Sequence, residues 1–406
     1  MGSQDNTLRA IRASANATIT GSGTLTNTNG LISAGNTLSI VDTSRANPVA
    51  KTLNVVNTGG TLVAGTAAVL GTDGKVQTAA FGKLELDAKG FSGDGTTVGI
   101  NDLSITLAQD VTNNVDVKAG GNLTYATTGK LTNNGKLLAG GTVTASGNDV
   151  ENKVNAEISG TDTIVNAAGT LTNRGLIDSQ GNTQLNVGTL TNIGTGRIYG
   201  DTVSIAAGTV NNDAETVGGA TKAATIAARG DLYIGANTIN NRDNALIFSS
   251  GGMYIRGALD SKRHAIGKGG VHNNESASIE SLGEMSIAMG SINNVDTRLK
   301  VAANSSTALI PSIITMDGKS WEPYDAQGNV ITWGDPSTRL VYHKAADGTI
   351  TMIGKGWTEA VTNITVTEDS IVPGSDAPAR IVSGGDMTLD GHVYNRDSQI
   401  MAGGAL

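Results

Sequence analysis

A phrase of about 20 residues recurs along this chain, and that recurrence limits its fold more than any other feature. It runs Gly-x-Leu-Thr-Asn, a short step, Gly-x-Leu/Ile, a Gly-rich bend and a second alternating run. The copies include GTLTNTNGLISAGNTLSI at 23–40, GKLTNNGKLLAGGTVTASG at 129–147 and GTLTNRGLIDSQGNTQLNVG at 169–188. One asparagine per copy marks the period: Asn113, Asn133, Asn152, Asn173, Asn192 and Asn211 are spaced by 20, 19, 21, 19 and 19 residues. Asparagine pairs at 240–241, 273–274 and 293–294 continue the series. Helical repeats need longer units, and Gly, Asn and Thr break each copy too often for a helix. Within a copy the apolar residues alternate, as at Leu185 and Val187 or Val203 and Ile205, which is the period of a strand.

Three such strands and their bends use about 20 residues, one turn of a parallel β-helix. The expected fold is therefore all-β, a right-handed parallel β-helix of roughly 20-residue coils with an antiparallel hairpin insertion. Coils stacked about 4.8 Å apart place like residues over like. Aliphatics then line a narrow core, and one Asn per coil can bond to the next in a ladder. Composition agrees: 406 residues carry 55 Gly but only 3 Trp, 7 Tyr and 3 Phe, too few rings for several globular cores.

Departures from the period divide the chain. Residues 1–296 read as β-helix with loop insertions near 66–100, 213–224 and 257–270. Residues 297–362 hold all three Trp, with turn dipeptides at 317–318 and 347–348 between alternating runs, and read as protruding β-hairpins. Residues 363–406 read as a return to the β-helix. Trp321, Tyr324, Trp333, Tyr342 and Trp357 form the candidate partner-binding surface of the insertion, since Trp and Tyr are favoured at binding hot spots. The competing reading is a small core of its own for the hairpins.

Evidence for chemistry is thin. A net charge of -8 gives no electrostatic footprint for nucleic acid, and there is no cysteine for a disulfide, thiolate ligand or nucleophile. His264, His272, His343 and His392 are isolated, so no metal site or cofactor is expected. Hydrolysis of a polysaccharide on such a scaffold needs two or three carboxylates at one register of adjacent coils. Asp178 and Asp201 come nearest, at roughly equivalent corners. Solvated corner acids are the simpler reading, and the chain is not expected to be an enzyme. No apolar run near 18 residues occurs, and the first residues lack the pattern of a signal peptide. The chain reads as a piece of something longer.

The quoted repeats resemble the first class of filamentous haemagglutinin repeats. These build the shafts of large exoproteins exported by two-partner secretion, both haemagglutinin adhesins and CdiA-type contact-dependent growth inhibition effectors. The resemblance implies a secreted, cell-surface structural shaft, part of a longer parent protein. It also implies an outer-membrane two-partner-secretion transporter for the parent chain and a cell-surface receptor on a target cell. The fragment itself is expected to be monomeric. Motifs of the secretion domain are missing, and Val150-Glu151-Asn152-Lys153 only partly echoes the marker that precedes inhibition toxins. The alternative is a polysaccharide-binding or depolymerising β-helix.

Overall fold

The computed structural model describes residues 2–406 apart from 66–68, 71–75, 78–81, 317–318, 322–324, 328, 357 and 376. It comprises two compact units, Met1–Arg298 with Ala377–Leu406, and Leu299–Asp376.

The first unit is a right-handed parallel β-helix. A representative coil has strands Leu103–Leu107, Val111–Asn113 and Asp116–Ala119, one on each of three faces. Each strand pairs in parallel with its counterpart one coil later, Leu103 with Leu123, Val111 with Leu131 and Asp116 with Lys136. From residue 162 the first two faces are served by single strands, Asp162–Asn173 and Asn182–Ile193, that shift register where they turn the corner near Ala167. The third face is a 14-stranded parallel sheet.

Alternation in sequence becomes alternation in burial, and the parallel register stacks inward residues into columns. On the third face one column runs Ile158, Ile177, Ile198, Ile226, Ile247, Ile279, Ile381 and Ile400. Ile158 to Ile381 are fully buried, each contributing about 1.5–3 kcal/mol of hydrophobic stabilisation. Two residues on, a column of small residues passes through Ala64, Gly99, Ala119 and Ala139, where the chain turns close to itself. On the first face Tyr125 stands between Ile105 and Ala145, so the one large ring in that column is accommodated by the small residue above it.

Thr97 breaks the third-face column. It pairs with Leu62, is 1% exposed, and its hydroxyl has no hydrogen-bond partner. Thr97→Val keeps the shape and removes an unpaired polar group, so a gain of about 1 kcal/mol in urea denaturation is expected.

The excursions are antiparallel hairpins leaving coil corners. Strand Thr202–Val217 runs on past its coil and pairs with Ala220–Ala223, turning at Gly218 and Gly219, both at positive φ. Ala258–Leu259 pairs with Ala265–Ile266, and Val69–Leu70 with Val76–Gln77. The looser pattern expected over 66–100 does not extend that far. Lys83–Asp87, Gly90–Ser92 and Thr96–Gly99 form a regular coil paired with the strands before it. Its glycines and its one phenylalanine in that stretch disguised the repeat.

The second unit holds two three-stranded antiparallel sheets. In one, Val301–Met316 pairs with Thr358–Ile371 and with Lys319–Trp321; in the other, Leu340–Lys344 lies between Thr332–Asp335 and Ile350–Lys355. A 16-residue outgoing strand needs a return strand of similar length. The return to the β-helix expected at 363 therefore does not occur there: 363–371 still pair with 301–309, and the stack resumes with Arg380–Ser383 on Ser278–Ser281.

Candidate functional site

The most ordered polar feature is the asparagine ladder inside the corner between the second and third faces. Asn113 donates through its side-chain amide to Asn133 Oδ1 (2.8 Å), Asn133 to Asn152 (2.9 Å), Asn152 to Asn173 (2.9 Å) and Asn173 to Asn192 (2.9 Å). From Asn133 on, each amide also donates to a carbonyl at the start of the next coil's third-face strand, such as Asn173 to Arg197 O (3.2 Å). These asparagines are almost wholly buried, and each hydrogen bond joins two coils.

Asn211, expected on the same row, is one residue off it. Asn192 donates instead to Asn212 (2.8 Å), and the row continues through Asn241, Asn274, Asn294 and Asn395. Residue Thr191 pairs with Asn211 and Asn192 with Asn212, so strand register decides which of the two neighbours faces inward. Asn211 starts a second, partly exposed ladder with Asn240, Asn273 and Asn293. Its donors point the other way: Asn240 donates back to Asn211, Asn273 to Asn240 and Asn293 to Asn273.

Sequence reasoning did not place Asn6, Asn27 and Asn57, which form an earlier section of the inner ladder (2.7 and 2.8 Å). The steps there are 21 and 30 residues, the longer one spanning the loop that Asp42 organises. Its carboxylate accepts from the backbone N–H of Ser44, Thr52 and Leu53. Although burial opposes ionisation, these bonds and Lys51 hold the Asp42 carboxyl below the usual carboxylate range. The next coil interrupts the row. Gly93 takes the turn at φ +110°, and a Cβ there would meet Asn57 O at 2.3 Å.

Asp178 and Asp201 do not share a register. Asp178 lies beyond the Ile177–Ile198 pair, at the level of Tyr199, whereas the Asp201 backbone bonds Gly181. Asp178 approaches Arg229 at 3.5 Å. Glu151 binds Lys130 (2.5 Å) and Lys153, and although its partial burial opposes ionisation, these two ammonium groups lower its carboxyl pKa. Arg174 makes a two-point pair with Glu215 of the 214–223 hairpin, which lowers the Glu215 pKa. Among the described residues no group of three or more His, Cys, Asp or Glu could hold a metal ion.

Of the insertion aromatics, Trp333 and Tyr342 are a directly opposed cross-strand pair, rings stacked at 5.7 Å, and both are half-buried. Trp321 lies 5.6 Å from His343, whose Nδ1 is 3.0 Å from the Thr332 hydroxyl, and the Trp321 indole N–H is buried without a partner. Tyr324 and Trp357 lie outside the described residues.

Comparison with known families identifies three stretches, 2–47, 79–135 and 115–175, that match the haemagglutinin repeat model. The matched stretches make up less than half of the chain, all within the β-helix. The first unit is thus a parallel β-helix containing haemagglutinin repeats. No curated protein and no solved structure matches the chain.

Proposed function

We propose that this chain is an extracellular structural shaft segment of a large secreted adhesin or contact-dependent growth inhibition effector, projecting binding and effector regions from the producing bacterium. The observation that carries this reading is the inner ladder. From Asn113 to Asn395 every rung joins one coil to the next, and the coils up to residue 175 include the stretches that match haemagglutinin repeats. Such a stack transmits position along its length, and Glu151, Asp178 and Glu215 are engaged by neighbouring bases. In this reading the parent chain crosses the outer membrane through a two-partner-secretion transporter. Residues 299–376 contact a cell-surface receptor on a target cell through Trp321, Tyr324, Trp333, Tyr342 and Trp357.

The test is binding of the labelled chain to intact bacterial and host cells, against a version with 299–376 replaced by a short Gly-Ser link. Circular dichroism checks that the β-helix persists. Saturable binding lost with the segment is the expected result. Binding unchanged by the deletion would remove the receptor role from this unit.

A further inference from the structure

The hairpin at 258–266 does more than fill a corner. Its tip folds back on the first face and is held there by Arg263, a non-glycine residue at φ +65°. The Arg263 guanidinium donates to Ser204 Oγ (2.6 Å), Asn186 Oδ1 (2.7 Å), Ser204 O (3.0 Å) and Leu185 O (3.2 Å). Between tip and face lies a cavity of about 440 Å³.

Three features of its lining belong together. Tyr233 is stacked on Tyr254 one coil on, centroids 5.0 Å apart and nearly parallel, so its ring forms a fixed wall. The His264 ring meets Tyr233 at 5.4 Å. Lys262, Arg263 and His264 bring donors from the tip, while Gln184 and Thr202 line the opposite side. Asp231, the acid among the lining residues, accepts from Gly252 N–H (2.8 Å) and from the Tyr233 hydroxyl (3.2 Å). Asp260 sits at the base of the tip, accepting from the backbone N–H of Lys262 and His264.

Arg263 is a half-buried cation whose partners are all neutral; among the described residues no carboxylate lies within ion-pair distance of it or of Lys262. Burial lowers its pKa, so an incoming carboxylate would offset a desolvation cost already present. Four of the five Arg263 N–H groups are donated to the first face, so the guanidinium offers its charge and one remaining N–H while the Lys262 ammonium meets a carboxylate directly. A fixed tyrosine ring suits the apolar face of a sugar, and polar side chains opposite suit its hydroxyls.

We propose that this cavity binds a uronic-acid-containing saccharide, its ring against Tyr233 and its carboxylate toward Lys262 and Arg263. None of the residues lining the cavity belongs to 299–376, and the proposal does not depend on that segment contacting a receptor. Bulk attraction does not explain such binding, because the chain carries a net charge of -8.

The experiment titrates the full chain with a glucuronic-acid-containing tetrasaccharide and, in parallel, with its carboxyl-reduced neutral counterpart, read by NMR and calorimetry. The acidic probe is expected to bind, and reduction to weaken it at least about tenfold, the scale of one charge-assisted contact. Lys262→Ala with His264→Ala should weaken the acidic probe and leave the neutral one unchanged. Tyr233→Ala should weaken both, whereas Tyr233→Phe, which keeps the ring, should preserve binding and the fold by circular dichroism. No binding by the native chain at millimolar probe, equal affinity for the two probes, or indifference to the Lys262 and Tyr233 changes would each overturn the proposal. The version lacking 299–376 should still bind the saccharide, which keeps failure of this site distinct from failure of the receptor role.

Discussion

Asn192→Ala is expected to destabilise the β-helix by about 3–5 kcal/mol, because truncation orphans several buried groups at roughly 1–3 kcal/mol each. Asn192 is fully buried, accepts from Asn173 (2.9 Å), and donates to Asn212 Oδ1 (2.8 Å) and Thr225 O (3.1 Å). Alanine can replace none of these, and the closed corner leaves little space for water. An internal control is available: Asn134 donates to Asn114 across the same pair of coils as Asn113 and Asn133, but in solvent (2.7 Å). Asn134→Ala should cost less than about 0.5 kcal/mol, since water substitutes for the lost partner. Urea denaturation followed by circular dichroism compares the two. Equal effects would mean that the inner row owes its stability to packing and not to its hydrogen bonds.

Acidification should weaken the same unit through one residue. His272 occupies an inward position between Ile239 and Ile292, is fully buried, and neither ring nitrogen has a partner. Burial alone pushes its pKa down from 6.5 to about 4. A depressed folded-state pKa means that the unfolded chain takes up the proton first. Full stability is therefore present above pH 6.5 and is lost as pH falls toward about 4. The loss amounts to about 2 kcal/mol by pH 5 and roughly 3 kcal/mol in all. His272→Leu should abolish this part of the pH dependence and, by removing two unpaired polar atoms, also stabilise the chain at pH 7 by about 1–3 kcal/mol. Denaturation midpoints of both chains at pH 7.5, 6 and 5 test it. Parallel pH curves would show that the imidazole is hydrated or paired in solution.

How far the sequence reveals such residues depends on whether the period is kept. The row from Asn113 to Asn192 is readable because each coil there takes 19 to 21 residues and every Asn stands two residues after a Leu or Val. Asn27 and Asn57 are hidden by the loop at 43–53, which adds residues without changing the corner they share. The choice between Asn211 and Asn212 is invisible to spacing, since both are asparagine and the strand register, which sets Asn192 on Asn212, decides which one turns inward. His272 is isolated in sequence, and only the column through Ile239 and Ile292 reveals it as a core residue. The 257–270 insertion is visible as a break in the repeat. That its tip returns to Ser204, 59 positions before Arg263, is a long-range contact that no local pattern encodes.

The inner rungs also separate the length of chain from the geometry of the wall. Asn133 reaches Asn152 across 19 residues, Asn241 reaches Asn274 across 33, and Asn294 reaches Asn395 across 101, yet the three bonds measure 2.9, 2.9 and 2.7 Å. Closing a longer excursion costs only the slowly growing entropy of the loop, about 0.6 kcal/mol per doubling. A corner of this fold therefore behaves as a splice point. Genetic insertions arriving there can be short turns or whole folded units, and the courses on either side still join as if nothing had been added. Lineages built on this masonry can exchange what they display without rebuilding what displays it.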